Sequence, residues 1–334
     1  MKVSIVDLGL IRDLVGPEIT PPLTFIAFVK SGDTAQIEYL IPGRAGKPQS
    51  DRVLETAKLL DNLLHAQPKQ LDTSRDYSCL VFQAEDCPAN VPSVSWQTRR
   101  DWEHIRLIPD LYYFNRRGYG DFLPPQNANL KPWNERKSLV FWRGSTTGIL
   151  NVTLEKLESL PRYRLCAAAK SLGVAADVGI FSVVQAATPD DRDKISSKLL
   201  AEEVMKPFVA LEGMAANKFI VDIDGNANSW NFLAKLRLGA CILKVESSWI
   251  QWLEQKVVAW QHFVPVKADL SDFLPKVEWC LSNDDATREI ASNGRELALS
   301  ITYDEEFCAA AKVLHSALAP SLDPTAVISK RILV

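Results

Sequence analysis

Apolar residues in this chain fall into short, nearly unbroken runs that alternate with stretches of helical period. Ser78-Cys79-Leu80-Val81-Phe82, Lys137-Ser138-Leu139-Val140-Phe141-Trp142, residues 178–184, Phe219-Ile220-Val221-Asp222-Ile223 and Cys241-Ile242-Leu243-Lys244-Val245 are such runs. Each is bounded by Gly, Pro, Asp or Asn, the pattern of buried strands. Residues 23–29, 35–41 and 263–266 add shorter extended pieces, and Leu107-Ile108-Pro109-Asp110 opens another unit of this kind. Between the runs, Val53, Leu54, Ala57, Leu60, Leu63 and Leu64 recur on one helical face within residues 51–65. Residues 154–171, 196–211, 249–260, 270–281 and 284–299 also carry a helical pattern, with Pro207 kinking or ending the second and Asn283 placed to cap the last. Strands alternating with helices predict parallel α/β sheets, two of them.

The 334 residues exceed one ordinary core and suit two domains, and residues 118–132, rich in Gly, Pro and Asn, mark the segment between them. A net charge of −3 gives no general affinity for nucleic acid. Charged residues interrupt the apolar run at the start, so no signal peptide is expected, and no apolar run reaches membrane-spanning length. The six cysteines are scattered without a CxxC pair and read as free thiols, which fits a cytoplasmic location. The four histidines show no zinc spacing.

The strand ending at Asp222 runs into Ile223-Asp224-Gly225-Asn226-Ala227-Asn228-Ser229-Trp230, after which Phe232, Leu233 and Leu236 begin a helix. In an open α/β sheet the crevice at such a strand end binds ligands, and helix-start N–H groups favour an anion; the alternative is an ordinary strand-to-helix turn. Arg143-Gly144-Ser145-Thr146-Thr147-Gly148 offers a bidentate cation, a close backbone approach and hydroxyls, or else a solvated surface turn. It lacks the Gly-Lys-Ser/Thr of a P-loop. Asp222 and Asp224 match an Asp-x-Asp that holds a divalent metal in some sugar-nucleotide enzymes, or simply shape the turn. Asp86, at a strand end before Cys87-Pro88, is a general-base candidate or a loop aspartate. His262 is a ligand contact or a satisfied, half-buried histidine.

Taken in order, Glu85-Asp86-Cys87-Pro88, Phe141 to Gly148, Asn217-Lys218-Phe219 into the 221–230 loop, Leu243-Lys244-Val245-Glu246-Ser247 and the stretch from Gln261-His262-Phe263 to Asp272 resemble glycosyltransferase family 90, the CAP10 type. The bacterial LpsA-like lipopolysaccharide glycosyltransferases look nearest. The resemblance implies a GT-B architecture, two Rossmann-like domains facing across a cleft: an acceptor-side domain over residues 1–135, a donor domain over 136–300, and a helical segment over 301–334 packing back on the first. It implies an inverting, metal-independent transfer of a hexose or pentose from a UDP-sugar to a glycan hydroxyl, with no cofactor. The acceptor would be lipopolysaccharide or another surface glycan, or a lipid-linked glycan, which would bring the enzyme to the inner face of the membrane.

The resemblance makes Asp86 the base, Arg143, Gly144 and Ser145 the diphosphate element, and Asp224, Gly225, Asn226, Ala227, Asn228 and Ser229 the donor loop. Where protein O-glucosyltransferases carry an Arg after that loop, this chain has Asn231, which turns attention to Lys235 or Arg237 for the charge. Lys218, Glu246 and His262 stand in the matching strings as further donor-side candidates. The rival readings are a noncatalytic sugar- or nucleotide-binding module and a metal-dependent transferase built on Asp222 and Asp224.

Overall fold

A computed structural model describes residues 1–15, 23–30, 36–44, 46–66, 77–120 and 130–321. The chain forms two compact units. Unit 1 comprises residues 1–115, 249–252 and 302–334, and unit 2 residues 116–248 and 253–301. The division at 115/116 falls earlier than 135, and residues 121–129 of the expected 118–132 connection lie outside the described residues.

Unit 1 opens with β1 (Lys2–Val6), α1 (Leu8–Val15), β2 (Thr24–Lys30), β3 (Gln36–Arg44), β4 (Lys47–Pro48) and α2 (Asp51–His65). It continues with β5 (Tyr77–Gln83), β6 (Ser93–Ser95), β7 (Gln97–Arg99), β8 (Ile105–Leu107) and α3 (Leu111–Asn115). The main path of its sheet runs β1-β3-β2-β5-β6-β8. The expected parallel character is broken at β2, which pairs antiparallel with both β3 and β5. The cause is local: only residues 31–35 separate β2 from β3, too few for the crossover that a parallel pair needs. Helix α2 follows the sequence pattern closely. Ser50 caps it by accepting from the Arg52 N–H, and Val53, Ala57, Leu60, Leu63 and Leu64 are fully buried. Phe25, Phe82 and Trp96 form a ring cluster at the centre, with centroids 5.5 and 4.7 Å apart.

Unit 2 holds β9 (Lys137–Ser145), α4 (Pro161–Ala169), β10 (Ala176–Ser182), α5 (Pro189–Ala201), α6 (Leu211–Met214), β11 (Asn217–Asp222), α7 (Phe232–Arg237) and β12 (Cys241–Val245). Residues 249–252 then belong to unit 1, where β13 (Trp249–Gln251) pairs antiparallel with β7. This overturns the helix expected over 249–260: Trp249-Ile250-Gln251 carries strand formers and finds an edge to join, and only a short 3-10 turn, Trp252–Gln255, follows. Unit 2 resumes with β14 (Val264–Val266), α8 (Phe273–Ser282) and α9 (Asp284–Ser300). Unit 1 is completed by α10 (Tyr303–Ala317) and β15 (Ala319–Ser321), which pairs antiparallel with β5.

The sheet of unit 2 runs β10-β9-β11-β12-β14, every pair parallel, so it is the doubly wound α/β arrangement the alternation predicts. Strands β11 and β12 are buried along their whole length, as a sheet covered on both faces requires. Three helices depart from the sequence reading. The one expected over 154–171 is α4 alone, Pro161–Ala169, between 3-10 turns at Leu157–Ser159 and Lys170–Ala175. Helix α5 starts at Pro189, because Thr188 accepts from the Asp191 N–H and proline suits the first helical position, and it stops at Ala201, ahead of Pro207. Asn283 precedes α9, but its side chain donates to the Trp279 carbonyl instead of capping.

Candidate functional site

The strand order of unit 2 reverses at β9: β10 lies on one side of it and β11 on the other. The crevice outside the carboxyl ends of two strands at such a reversal is where doubly wound sheets bind ligands. Here those ends are Ser145 and Asp222, which lead into the two glycine-containing loops singled out in the sequence.

The loops are built against each other. The Gly148 N–H donates to Asn226 Oδ1 at 3.1 Å. Gly148 has φ +127, a conformation that favours glycine. Gly225 has no room for a side chain, since a Cβ there would lie 2.7 Å from Thr147 Oγ1. Arg162, in the first turn of α4, laces the two loops together. Its guanidinium donates to the carbonyls of Asp224 (2.9 Å), Ser145 (3.2 Å) and Ile223 (3.3 Å) and to Thr147 Oγ1. The same guanidinium sits 5.7 Å from the centre of the Trp142 ring, and that ring occupies the space a Cβ on Gly144 would need. Thr146, fully buried, donates to the Val184 carbonyl and accepts from its N–H, fixing the exit of β10.

Beneath the loops lies a cluster of charge. Asp222, with no exposed surface, is 2.7 Å from Lys235 Nζ and 3.4 Å from Lys244 Nζ. Lys244 is its register partner on β12, so parallel pairing sets the two side chains together. Burial alone would push Asp222 up, but the two ammonium groups hold it below the usual carboxylate range. Asp224 is raised by burial, and its Oδ1 accepts from the Ser229 N–H at 3.0 Å. Burial lowers Arg162 to about 10 against the pull of Asp224 and Asp222. Three basic side chains therefore face two carboxylates; burial biases Asp224 toward neutrality and also lowers Lys235 against the pull of Asp222. Such a cluster favours an added anion. Asn228, nearly buried, has an Nδ2 with no hydrogen-bond partner among the described residues, an idle donor in the loop.

The expected residues divide sharply. Gly144, Ser145, Asp224, Gly225, Asn226, Ala227, Asn228, Ser229 and Lys235 converge at the strand reversal. Asn231 is exposed and accepts from the Ser229 hydroxyl at 2.8 Å. Helix α7, which follows it, has only six residues, so the dipole invoked from sequence is small. Arg143 turns aside. It pairs with Asp177 at 2.6 Å and donates to the carbonyls of Asp177 and Pro207, over the face of Phe141. Arg237 is buried and donates to the Gly118 carbonyl, while Tyr119 donates to the Trp230 carbonyl. Glu246 is exposed immediately after β12, at the carboxyl edge.

Lys218 and His262 lie at the amino edge of the sheet. Lys218, early in β11, pairs with Asp284 at 2.6 Å. His262 precedes β14 and its Nδ1 accepts from the Val258 N–H, the satisfied histidine of the second reading; burial lowers its pKa. Arg162 and Lys244 were missed from sequence. Lys244 had a signal, a lysine inside the apolar run Cys241-Ile242-Leu243-Lys244-Val245; Arg162 had none beyond its place after Pro161.

In unit 1, Asp86 follows β5 and pairs with Arg52 at 2.9 Å, its side chain 43% exposed. Beside it, Gln97 Nε2 donates to the Glu85 carbonyl at 3.0 Å and also to that of Asp86, fixing this turn. Glu85 itself is buried and accepts from the Leu23 N–H and Thr24 Oγ1. Burial raises its carboxyl to about 7, opposed by those donors and Arg52. Asp110 accepts from the Tyr113 N–H at the start of α3 and is likewise raised by burial to about 7.

Comparisons with known proteins bear on this geometry. Over 177 residues the chain is 29% identical to uncharacterized protein 179R of Invertebrate iridescent virus 6, covering 48% of the chain and 15% of that protein. Over 81 residues it is 31% identical to human protein O-glucosyltransferase 3 (24% and 16% covered), and over 92 residues 29% identical to rat protein O-glucosyltransferase 1 (27% and 24%). The chain thus spans less than a quarter of the length of these relatives. Among solved structures, Anabaena HepE in complex with UDP-glucose aligns at TM-score 0.40 with 12% identity, covering 54% of this chain and 49% of that one. A glycosyltransferase from Rickettsia africae aligns at 0.42 with 10% identity (68% and 64%). The profile of glycosyl transferase family 90 matches residues 125–316, more than half of the 334, and takes in the whole of the strand-reversal site. The chain belongs to glycosyl transferase family 90.

Proposed function

We propose that this protein is an inverting, metal-independent glycosyltransferase that takes a sugar from a UDP-sugar to a hydroxyl of a glycan. The observation that carries the reading is the cationic cluster of Arg162, Lys235 and Lys244 beneath two interlocked loops at the strand reversal. The diphosphate of the donor supplies the anion this cluster favours. Asn228 Nδ2 and the backbone of residues 225–229 supply donors to it, and the leaving UDP is stabilised as its charge develops. Arg143, held by Asp177, contributes by fixing the strand end that bears Gly144 and Ser145.

Asp222 is already matched by two lysines, a poor ligand for a divalent cation, which supports metal-independent departure of UDP over the Asp-x-Asp alternative. Asp86 then acts as the general base: it removes the proton of the acceptor hydroxyl, whose oxygen attacks the anomeric carbon opposite UDP. Arg52, 2.9 Å away, orients that carboxylate. The GT-B arrangement and an acceptor of the lipopolysaccharide kind, handled in the cytoplasm, follow from the likeness to the LpsA-like branch. No helix among the described residues is long and apolar enough to cross a membrane, so a lipid-linked acceptor would be met by peripheral contact.

The test is calorimetry with UDP in EDTA, combined with sugar-transfer assays. Wild-type protein binds UDP in the chelator; Asn228→Ala and Lys235→Met weaken that binding at least about tenfold, the equivalent of ~1.4 kcal/mol. Asp86→Asn leaves UDP affinity unchanged and lowers turnover by at least about a hundredfold, the low end for a lost general base. Binding of UDP that is equal in all variants, or an Asp86→Asn enzyme of normal turnover, refutes the assignment.

A further inference from the structure

At the amino edge of the unit 2 sheet, opposite the loops just described, lies a second concavity of about 380 Å³. It is lined by Lys131, Arg136, Arg288 and Arg295 with Trp133 as an aromatic wall and Gly239 at its base. Among the described residues, no acidic side chain lines it. Among the described residues, the nearby carboxylates bind Lys218 and the outer lining and not Arg136 or Arg295. Asp284 accepts from Trp133 Nε1 at 3.0 Å and pairs with Lys218 at 2.6 Å. Glu296 accepts from the Ser292 hydroxyl, and Asp285 makes an exposed pair with Arg288 at 3.0 Å.

Two of the guanidiniums converge. Arg136, nine-tenths buried, is held in place on one side: Nε donates to the Lys131 carbonyl at 2.9 Å, and Nη1 to the carbonyls of Leu238 (3.0 Å) and Gly239 (2.6 Å). A Cβ on Gly239 would lie 2.9 Å from Arg295 Cδ and 3.6 Å from Arg136 Nη2, so both side chains close on the same point, above a glycine whose φ is +63. Arg295 Nε is buried and has no hydrogen-bond partner among the described residues. Burial, and then the charge of Arg295, lowers the pKa of Arg136. Two like charges brought together in a partly desolvated place have, among the described residues, no counter-ion of the kind buried charges ordinarily have.

We propose that this concavity binds a phosphate group, presented either by a soluble phosphorylated molecule or by the headgroup of an anionic lipid. Arg136, whose Nε and Nη1 are bonded to carbonyls, offers Nη2, and Arg295 offers a planar fork that matches phosphate oxygens. Lys131 and Arg288 at the rim supply further charge, and the volume leaves room for the substituent the phosphate carries, against Trp133. The site is separate from the donor loops and does not depend on their assignment.

The test titrates inorganic phosphate into the full-length protein at fixed chloride, in wild type, Arg295→Ala and the rim double variant Lys131→Ala/Arg288→Ala. Wild type gives a saturable isotherm, and both variants weaken it at least tenfold with UDP affinity unchanged. The rim variant changes exposed residues only, so it keeps the test open if Arg295→Ala does not fold. Co-sedimentation with phosphatidylcholine vesicles, with and without phosphatidylglycerol, separates the sources. Capture by the anionic vesicles that inorganic phosphate competes away identifies a headgroup; a saturable phosphate isotherm without capture identifies a soluble ligand. Identical phosphate and vesicle binding in wild type and variants overturns the proposal, and so does a parallel loss of UDP affinity, which would place the phosphate at the donor loops.

Discussion

At the scale of single residues, the site depends on close approaches more than on any one charged group. Gly225 is the sharpest case: a methyl group there would meet Thr147 Oγ1 at 2.7 Å and Arg162 Nη2 at 3.1 Å. Neither neighbour is free to yield, because Arg162 is tied to three carbonyls. Forcing extra volume into such a place costs about 1–3 kcal/mol. Gly225→Ala is therefore expected to lower UDP affinity roughly five- to a hundredfold while leaving the rest of unit 2 folded, measured by calorimetry beside a thermal melt. An unchanged affinity would mean that the loop does not hold the donor.

Much of this was legible: Gly225, Asn226, Asn228 and Ser229 stand in a string that marks a strand-end loop. Lys244 was readable in principle, since a lysine in a fully apolar strand needs a buried carboxylate, and Asp222 occupies the matching place on the neighbouring run. Arg162 was not, because nothing local distinguishes an arginine that reaches two loops distant in sequence from one that is solvated.

At the scale of elements, Arg143 illustrates how strand geometry decides a side chain's role. Its place in an Arg-Gly-Ser string suggested direct phosphate contact, yet it lies inside β9 beside β10, where Asp177 and the Pro207 carbonyl capture it. The Arg143 side chain is 4% exposed and Asp177 43%, so the pair lies between the weak surface case and the fully buried one. Removing the carboxylate leaves a nearly buried guanidinium short of its counter-charge. Asp177→Ala is expected to cost on the order of 1–3 kcal/mol of unit 2 stability, and Arg143→Ala a similar amount, with the double variant less destabilised than the sum. A denaturant double-mutant cycle measures this coupling. A purely additive cycle would mean that the pair does not lock the strand end.

The elements that sequence misplaced fail for a related reason. Residues 249–260 and β2 are governed by the edge they meet and by the length of the link before them. Hydrophobic period reports neither the pairing partner nor, without attention to the five positions 31–35, the direction of the strand.

At the scale of the whole molecule, buried carboxyls give the protein a response to pH: those of unit 1 are raised, while in unit 2 Asp222 is held down and Asp224 raised. In unit 1, burial raises Glu85 and Asp110 to about 7, above their ordinary values of 4.5 and 3.8. Groups of this kind bind protons in the folded state that the unfolded chain has released. Their stabilisation is complete below those ordinary values and is lost as pH rises toward 7. In unit 2, Asp222 is held below 3.8 by Lys235 and Lys244, so its contribution is complete above 3.8 and is lost only as pH falls through its folded value.

Between pH 5 and 8, then, unit 1 should weaken; Asp222 adds nothing to the slope there, and Asp224 beside it, raised by burial, adds a weakening of the same sign in unit 2. A tenfold change in proton affinity is worth about 1.4 kcal/mol, so each raised carboxyl, moved to about 7, contributes at most about 3 kcal/mol of change within this range. Calorimetric melts across this range are expected to show the unit 1 transition moving to lower temperature with rising pH. Glu85→Gln, which keeps an acceptor for Leu23 and Thr24 but cannot ionise, should flatten much of the slope and raise the melting point of unit 1 at pH 8; adding Asp110→Asn should flatten more. A wild-type melt independent of pH between 5 and 8, or one that Glu85→Gln leaves unaltered, would show that these carboxyls are ionised at no cost in the fold.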